Sequence, residues 1–114
     1  MLSWSCHESE TEVDLVAVAA GRGDVGIPLG DELLRFATAA ASLRGDATEM
    51  RDARDALVAI AGYTVMIDSA AVAANFHMMT RLADGTGARY PESRLSDMAP
   101  TISRMGATDM ASRR

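Results

Sequence analysis

One stretch holds residue types that can do covalent chemistry: Ser3-Trp4-Ser5-Cys6-His7-Glu8-Ser9-Glu10. Cys6 is the single cysteine of the chain. It stands before Ser9-Glu10-Thr11-Glu12, which has the pattern of a capping box and predicts a helix start. Free N–H groups and the dipole at such a start favour a thiolate and lower the thiol pKa. His7 can act as a base, or as an imidazolium that stabilises the thiolate. Glu8, Glu10 and Glu12 oppose this, because crowded negative charge disfavours a thiolate. The plain alternative is an inert cysteine in a mobile N-terminal segment, residues 1–8.

A second cluster, His77, Arg81 and Asp84, falls on one polar stripe at helical spacing. Arg81 would suit an anionic small molecule. The plain alternative is a solvated face with an Arg–Asp pair three residues apart. No metalloprotease, phosphate-loop or nucleophile-elbow motif is present. Two histidines far apart in sequence predict no metal site. Gly21-Arg22-Gly23-Asp24-Val25-Gly26 fits a dinucleotide-turn pattern, but no strand precedes it, so it reads as a loop. No cofactor is predicted.

The elements that must position these residues read as helices throughout. Apolar residues from Val13 to Ala20 follow the first cap, and Gly21 can stop that helix. Residues 21–30 hold four glycines and Pro28 and predict a loop. Asp31-Glu32 open a second helix whose core face would be Leu33, Leu34, Phe36, Ala37, Ala40, Ala41 and Leu43. Gly45-Asp46 breaks it. Asp46-Ala47-Thr48-Glu49 caps a third, with Met50, Ala53, Leu57 and Ile60 inward and an Arg51–Asp55 pair outward. Gly62 ends it, and Thr64 can cap a fourth over about 65–84. Pro100 leaves only a short fifth helix near 101–105. Residues 106–114 read as a frayed tail.

The fourth helix carries two apolar strips. Val65, Val72, Phe76, Met79 and Ala83 form one; Ile67, Ala71, Ala74, Met78 and Leu82 form the other. Together they predict a central helix buried on two sides, with Asn75 as a buried polar group. So short a chain has little material to cover both strips. Homo-oligomerisation is the expectation, helped by small residues at 70, 71, 73 and 74 and by eight methionines.

Composition narrows the rest. The 114 residues predict one all-α domain, 1–114, of four principal helices plus a short C-terminal one. Apolar residues make up 48%, too many for a disordered chain. Eleven arginines, no lysine and sixteen carboxylates give a net charge of −5, a poor match for nucleic acid. The acidity is local: residues 1–32 carry seven carboxylates against Arg22. No apolar run reads as long enough to span a bilayer, and no signal peptide opens the chain. A cytoplasmic location follows as the expectation, with no nucleic-acid or membrane partner.

Residues 31–87 resemble the alkylhydroperoxidase D-like / carboxymuconolactone decarboxylase family. The stretches that carry this are Asp31-Glu32-Leu33-Leu34-Arg35-Phe36-Ala37, Ala61-Gly62-Tyr63-Thr64, and Ala73-Ala74-Asn75-Phe76-His77-Met78-Met79-Thr80-Arg81-Leu82-Ala83-Asp84-Gly85-Thr86-Gly87. His77 and Thr80 stand where the family's run has Asn. The resemblance implies an all-α, oligomeric fold. Many members reduce peroxides or exchange disulfides through a Cys-x-x-Cys pair with a nearby His and an upstream Glu.

Laid on that motif, Ser3-Trp4-Ser5-Cys6 takes the place of the pair, with Ser3 for the first cysteine. The upstream helix with its Glu has no counterpart, so the chain reads as the later part of such a fold. The site implied is Cys6, His7 and Glu10. A two-cysteine cycle cannot run within the chain. Cys6 would form a sulfenic acid resolved by an external thiol reductant or a partner subunit. Two functions follow: a one-Cys peroxidase or thiol-exchange enzyme, or a non-catalytic helical oligomer that has lost the redox site.

Overall fold

The computed structural model describes residues 12–42, 44–89 and 91–108. Four helices occur among the described residues: α1 (Leu15–Ala20), α2 (Gly30–Ala41), α3 (Ala47–Thr86) and α4 (Glu92–Arg104). No strand occurs among the described residues, so the all-α expectation holds.

α1 begins later than its sequence predicts. Glu12 and Val13 lie outside the helix, and Asp14 is the N-cap. The Asp14 carboxylate accepts from Val16 N at 2.8 Å and Ala17 N at 3.2 Å. Two N–H groups answered by one side chain outweigh the apolar pattern upstream. Asp14 N also donates to Val25 O at 3.1 Å, tying the cap to the loop that follows. Gly21 ends the helix at φ 67°, the left-handed conformation a glycine adopts at little cost.

The loop carries Val25 into the core and hands over to α2. A side chain at Gly30 would overlap Val25, so the absence of a Cβ lets loop and helix meet. α2 buries Phe36 and half-buries Leu33 and Leu34. Ala37, Ala40 and Ala41 were expected on this core face; they are exposed. Leu43 lies outside the described residues.

Asp46 caps α3, accepting from Thr48 N at 2.7 Å. Ala53 and Leu57 are buried, Met50 is half-buried, and Ile60 is exposed. The outer ion pair is Arg54–Asp55 at 2.8 Å, not the predicted Arg51–Asp55. Gly62 has φ 84° and ψ 170°, which breaks the helical path inside α3. The helix resumes at Tyr63, so the predicted boundary is real, as a kink without a loop. α3 closes on Gly87, whose N–H donates to Ala83 O.

α4 is longer than predicted: Pro100 lies inside it. Proline removes one helical hydrogen bond. The carbonyl left without a donor is that of Ser96, an exposed residue that water can serve. α4 returns to touch α1.

The core is small: Leu15, Val25, Phe36, Ala53 and Leu57. All five come from α1, the loop, α2 and the first part of α3. The molecule is loose for its size. Its radius of gyration is 15.3 Å, against about 13 Å for a compact chain of this length.

Candidate functional site

The segment 63–86 of α3 turns an unexpected face to the protein. Met66, Ser69, Ala70 and Ala73 are half-buried along one side. Ser69 keeps its hydroxyl satisfied by donating to Val65 O at 2.7 Å. Both predicted core strips point mainly outward. Ile67, Val72, Phe76, Met78, Met79 and Leu82 are each 47–64% exposed. Asn75, expected to be buried, is exposed, and its amide donates to the Met79 sulfur at 3.7 Å. The small residues pack because alanine lets helices approach closely, whereas the larger strips have no helix of this chain to meet.

The packed face continues along α3 at helical spacing into His77, Thr80, Arg81 and Asp84. His77, Thr80, Arg81 and Asp84 are exposed. Their stripe borders a groove against α2. One lobe, about 550 Å³, lies between Phe36, Ala40 and Ala41 of α2 and Met50, Ala70, Ala73, Ala74, His77 and Met78 of α3. A second, about 480 Å³, adjoins it through Ala41, Ala73 and His77 and is lined by Ala37, Phe76, Thr80, Arg81 and Asp84. The Thr80 hydroxyl donates to Phe76 O at 3.0 Å, which leaves its lone pairs facing out. No ion pair engages Arg81 among the described residues.

A smaller hollow of about 260 Å³ lies among Arg35, Thr38, Ser42, Arg44 and Glu49. Arg35 and Glu49 bridge it with two hydrogen bonds, Nε to Oε1 at 2.7 Å and Nη2 to Oε2 at 3.1 Å. The pair holds the Glu49 carboxyl below its ordinary pKa and raises that of Arg35. Its role is to clamp α2 to the start of α3.

Cys6, His7 and Glu10, the predicted thiol site, lie outside the described residues. The N–H groups of Val16 and Ala17 at the start of α1 are taken by Asp14. No group of three or more His, Cys, Asp or Glu that could hold a metal occurs among the described residues.

By length and composition alone, α3 is long and apolar enough to cross a membrane, and its most apolar 18-residue stretch is 6% buried. This differs from the expectation that no apolar run is long enough to span a bilayer. The groove was also missed. Its signal was the alanines at 37, 40 and 41, expected on a core face, and those at 70, 73 and 74, expected to let neighbouring helices approach.

Comparison with known proteins finds no matching family model, curated protein or solved structure. The resemblance to the alkylhydroperoxidase D-like family therefore rests on the quoted residues alone.

Proposed function

We propose that the protein is a subunit of a helical homo-oligomer and acts through association, as a non-catalytic relative of the alkylhydroperoxidase D-like family. The observation that carries this is the outward apolar surface of α3 from Ile60 to Leu82. A small-residue face half-buried against the fold and apolar strips turned outward make a poor monomer, because large exposed apolar patches mark interaction sites.

A second copy suits this surface better than lipid. Asp68 lies exposed between the two strips. In a bilayer centre an acidic side chain costs about 2.5–3.5 kcal/mol on insertion scales. In a protein interface it can meet a donor. The kink at Gly62 also leaves backbone groups that lipid cannot satisfy. The cytoplasmic setting inferred from composition belongs to this same reading.

Light scattering on the eluting protein tests it. The expected result is a mass of two or more chains at micromolar concentration, reduced to one chain by Ile67→Asp with Leu82→Asp. A monomer at all concentrations, or capture by lipid vesicles in place of self-association, overturns the proposal.

The enzymatic alternative, a one-Cys peroxidase or exchange activity at Cys6 with an external thiol, is supported by the resemblance. Its test is peroxide-driven sulfenic acid formation at Cys6, with Cys6→Ser as the control.

A further inference from the structure

The outward face of α3 carries one charge amid its apolar residues. From residue 56 to residue 80, Asp68 is the only Asp, Glu or Arg. Asn75 follows seven residues later, two helical turns on, and so stands on the same line of the helix. Both are exposed. No ion pair or side-chain hydrogen bond engages Asp68 among the described residues. The Asn75 amide donates to the Met79 sulfur at 3.7 Å, a weak acceptor. Water serves both groups on a lone chain. Self-association, on which this inference rests, takes that water away, and both groups then need partners.

The two groups complement each other, since a carboxylate accepts and an amide donates. Their midpoint along the helix falls between Ala71 and Val72. We propose that a second copy packs antiparallel on this face about a twofold axis at that midpoint. Asp68 of each copy then accepts a hydrogen bond from Asn75 of the other, and symmetry makes the bond twice. In this register each apolar strip meets its own counterpart. Ile67 falls between Ala74 and Met78 of the second copy, and Val65 falls beside Met79. Ala71 lies at the axis, where its small side chain lets the helices approach.

Other arrangements leave the polar groups unmatched. A slide of seven residues one way sets Asp68 against Asp68; the other way sets it against Leu82, with Asn75 against Asn75. A parallel pair in register also sets Asp68 against Asp68, and like charges brought together in an interface repel. A parallel pair offset by seven residues makes the Asp68–Asn75 bond once, strands the other two groups and does not close as a dimer. A polar residue in an apolar helix seam selects register and orientation in this way.

Oxidative cross-linking of the full chain in a Cys6→Ser background tests the register. Ala71→Cys is expected to cross-link to its own copy. Thr64→Cys and Met79→Cys should each fail alone, because two like positions stand about 22 Å apart at 1.5 Å per residue, beyond the roughly 7 Å a disulfide spans. Mixed and re-equilibrated, those two variants should cross-link to each other. Sedimentation equilibrium tests the polar pair. Asn75→Asp sets two carboxylates together and should weaken association at least about tenfold. Adding Asp68→Asn exchanges the pair and should restore it. Circular dichroism verifies that each variant folds. Oligomers in which Thr64→Cys cross-links to its own copy, or in which Asp68→Asn does not rescue Asn75→Asp, overturn this inference and leave self-association standing. A monomer at every concentration, or uptake by lipid vesicles in place of pairing, overturns both.

Discussion

Arg35 of α2 and Glu49 of α3 form a two-pronged ion pair, 2.7 Å from Nε to Oε1 and 3.1 Å from Nη2 to Oε2. They are the described ion pair that joins two helices; the other, Arg54–Asp55, links sequence neighbours. The Arg35–Glu49 contact ties α2 to the first turn of α3.

Its stability effect depends on pH in one direction. Hydrogen bonding to Arg35 lowers the Glu49 pKa in the folded chain. A carboxylate with a depressed folded pKa contributes stability above its unfolded pKa and loses it as pH falls through the folded one. Melting temperature should therefore fall on acidification below the usual carboxylate range. Glu49→Gln should remove that part of the fall. Both partners are about half exposed, so the change at neutral pH should be no more than about 2 °C. Thermal melts of both proteins across acidic pH check it.

Leu57 is fully buried in a core of five apolar residues. Leu57→Ala should cost about 2–5 kcal/mol, by lost transfer energy and the cavity left behind. With so few buried neighbours to support the fold, this should be among the most damaging single truncations. Ile60→Ala, one turn later and exposed, should stay within about 0.5 kcal/mol in the dissociated chain. Urea denaturation of the two variants side by side separates buried from outward positions on one helix.

Gly62 holds φ 84° and ψ 170° with nothing within 4 Å of where a Cβ would stand. Space therefore does not forbid a side chain; backbone conformation does. Gly62→Ala should cost about 1–3 kcal/mol, the strain of an L-residue in that region. D-alanine at the same position, introduced by chemical ligation, should fold without this cost because positive φ is its natural range. Straightening of the kink in Gly62→Ala would show instead as a gain in helicity by circular dichroism.

Helix content, the caps at Asp46 and Gly21 and the break at Gly62 were legible in the sequence, because each rests on local backbone chemistry. Which face of residues 63–86 turns inward was not. Helical periodicity names the apolar strips, but it cannot say whether their cover belongs to the same chain. Here Met66, Ser69, Ala70 and Ala73 are half-buried, and the larger apolar residues of both strips stay exposed. The start of α1 was misread for a related reason. The cap of the described α1 is Asp14, whose carboxylate takes the N–H groups of Val16 and Ala17 and whose own N–H donates to Val25 O across the loop.

The outward strips make a thermodynamic prediction that needs no structure of the assembly. If copies cover Ile67, Val72, Phe76, Met78 and Leu82, association and folding are linked, and the melting temperature rises with protein concentration. A lone chain would show no such rise. Ile67→Ser with Leu82→Ser should abolish the concentration dependence and lower the melting temperature at high concentration. At the lowest concentrations the variant should match the parent, because exposed apolar residues replaced by serine change monomer stability by no more than about 0.5 kcal/mol. Differential scanning over a hundredfold range of concentration, with both proteins, distinguishes a surface that needs a partner from one that is merely exposed.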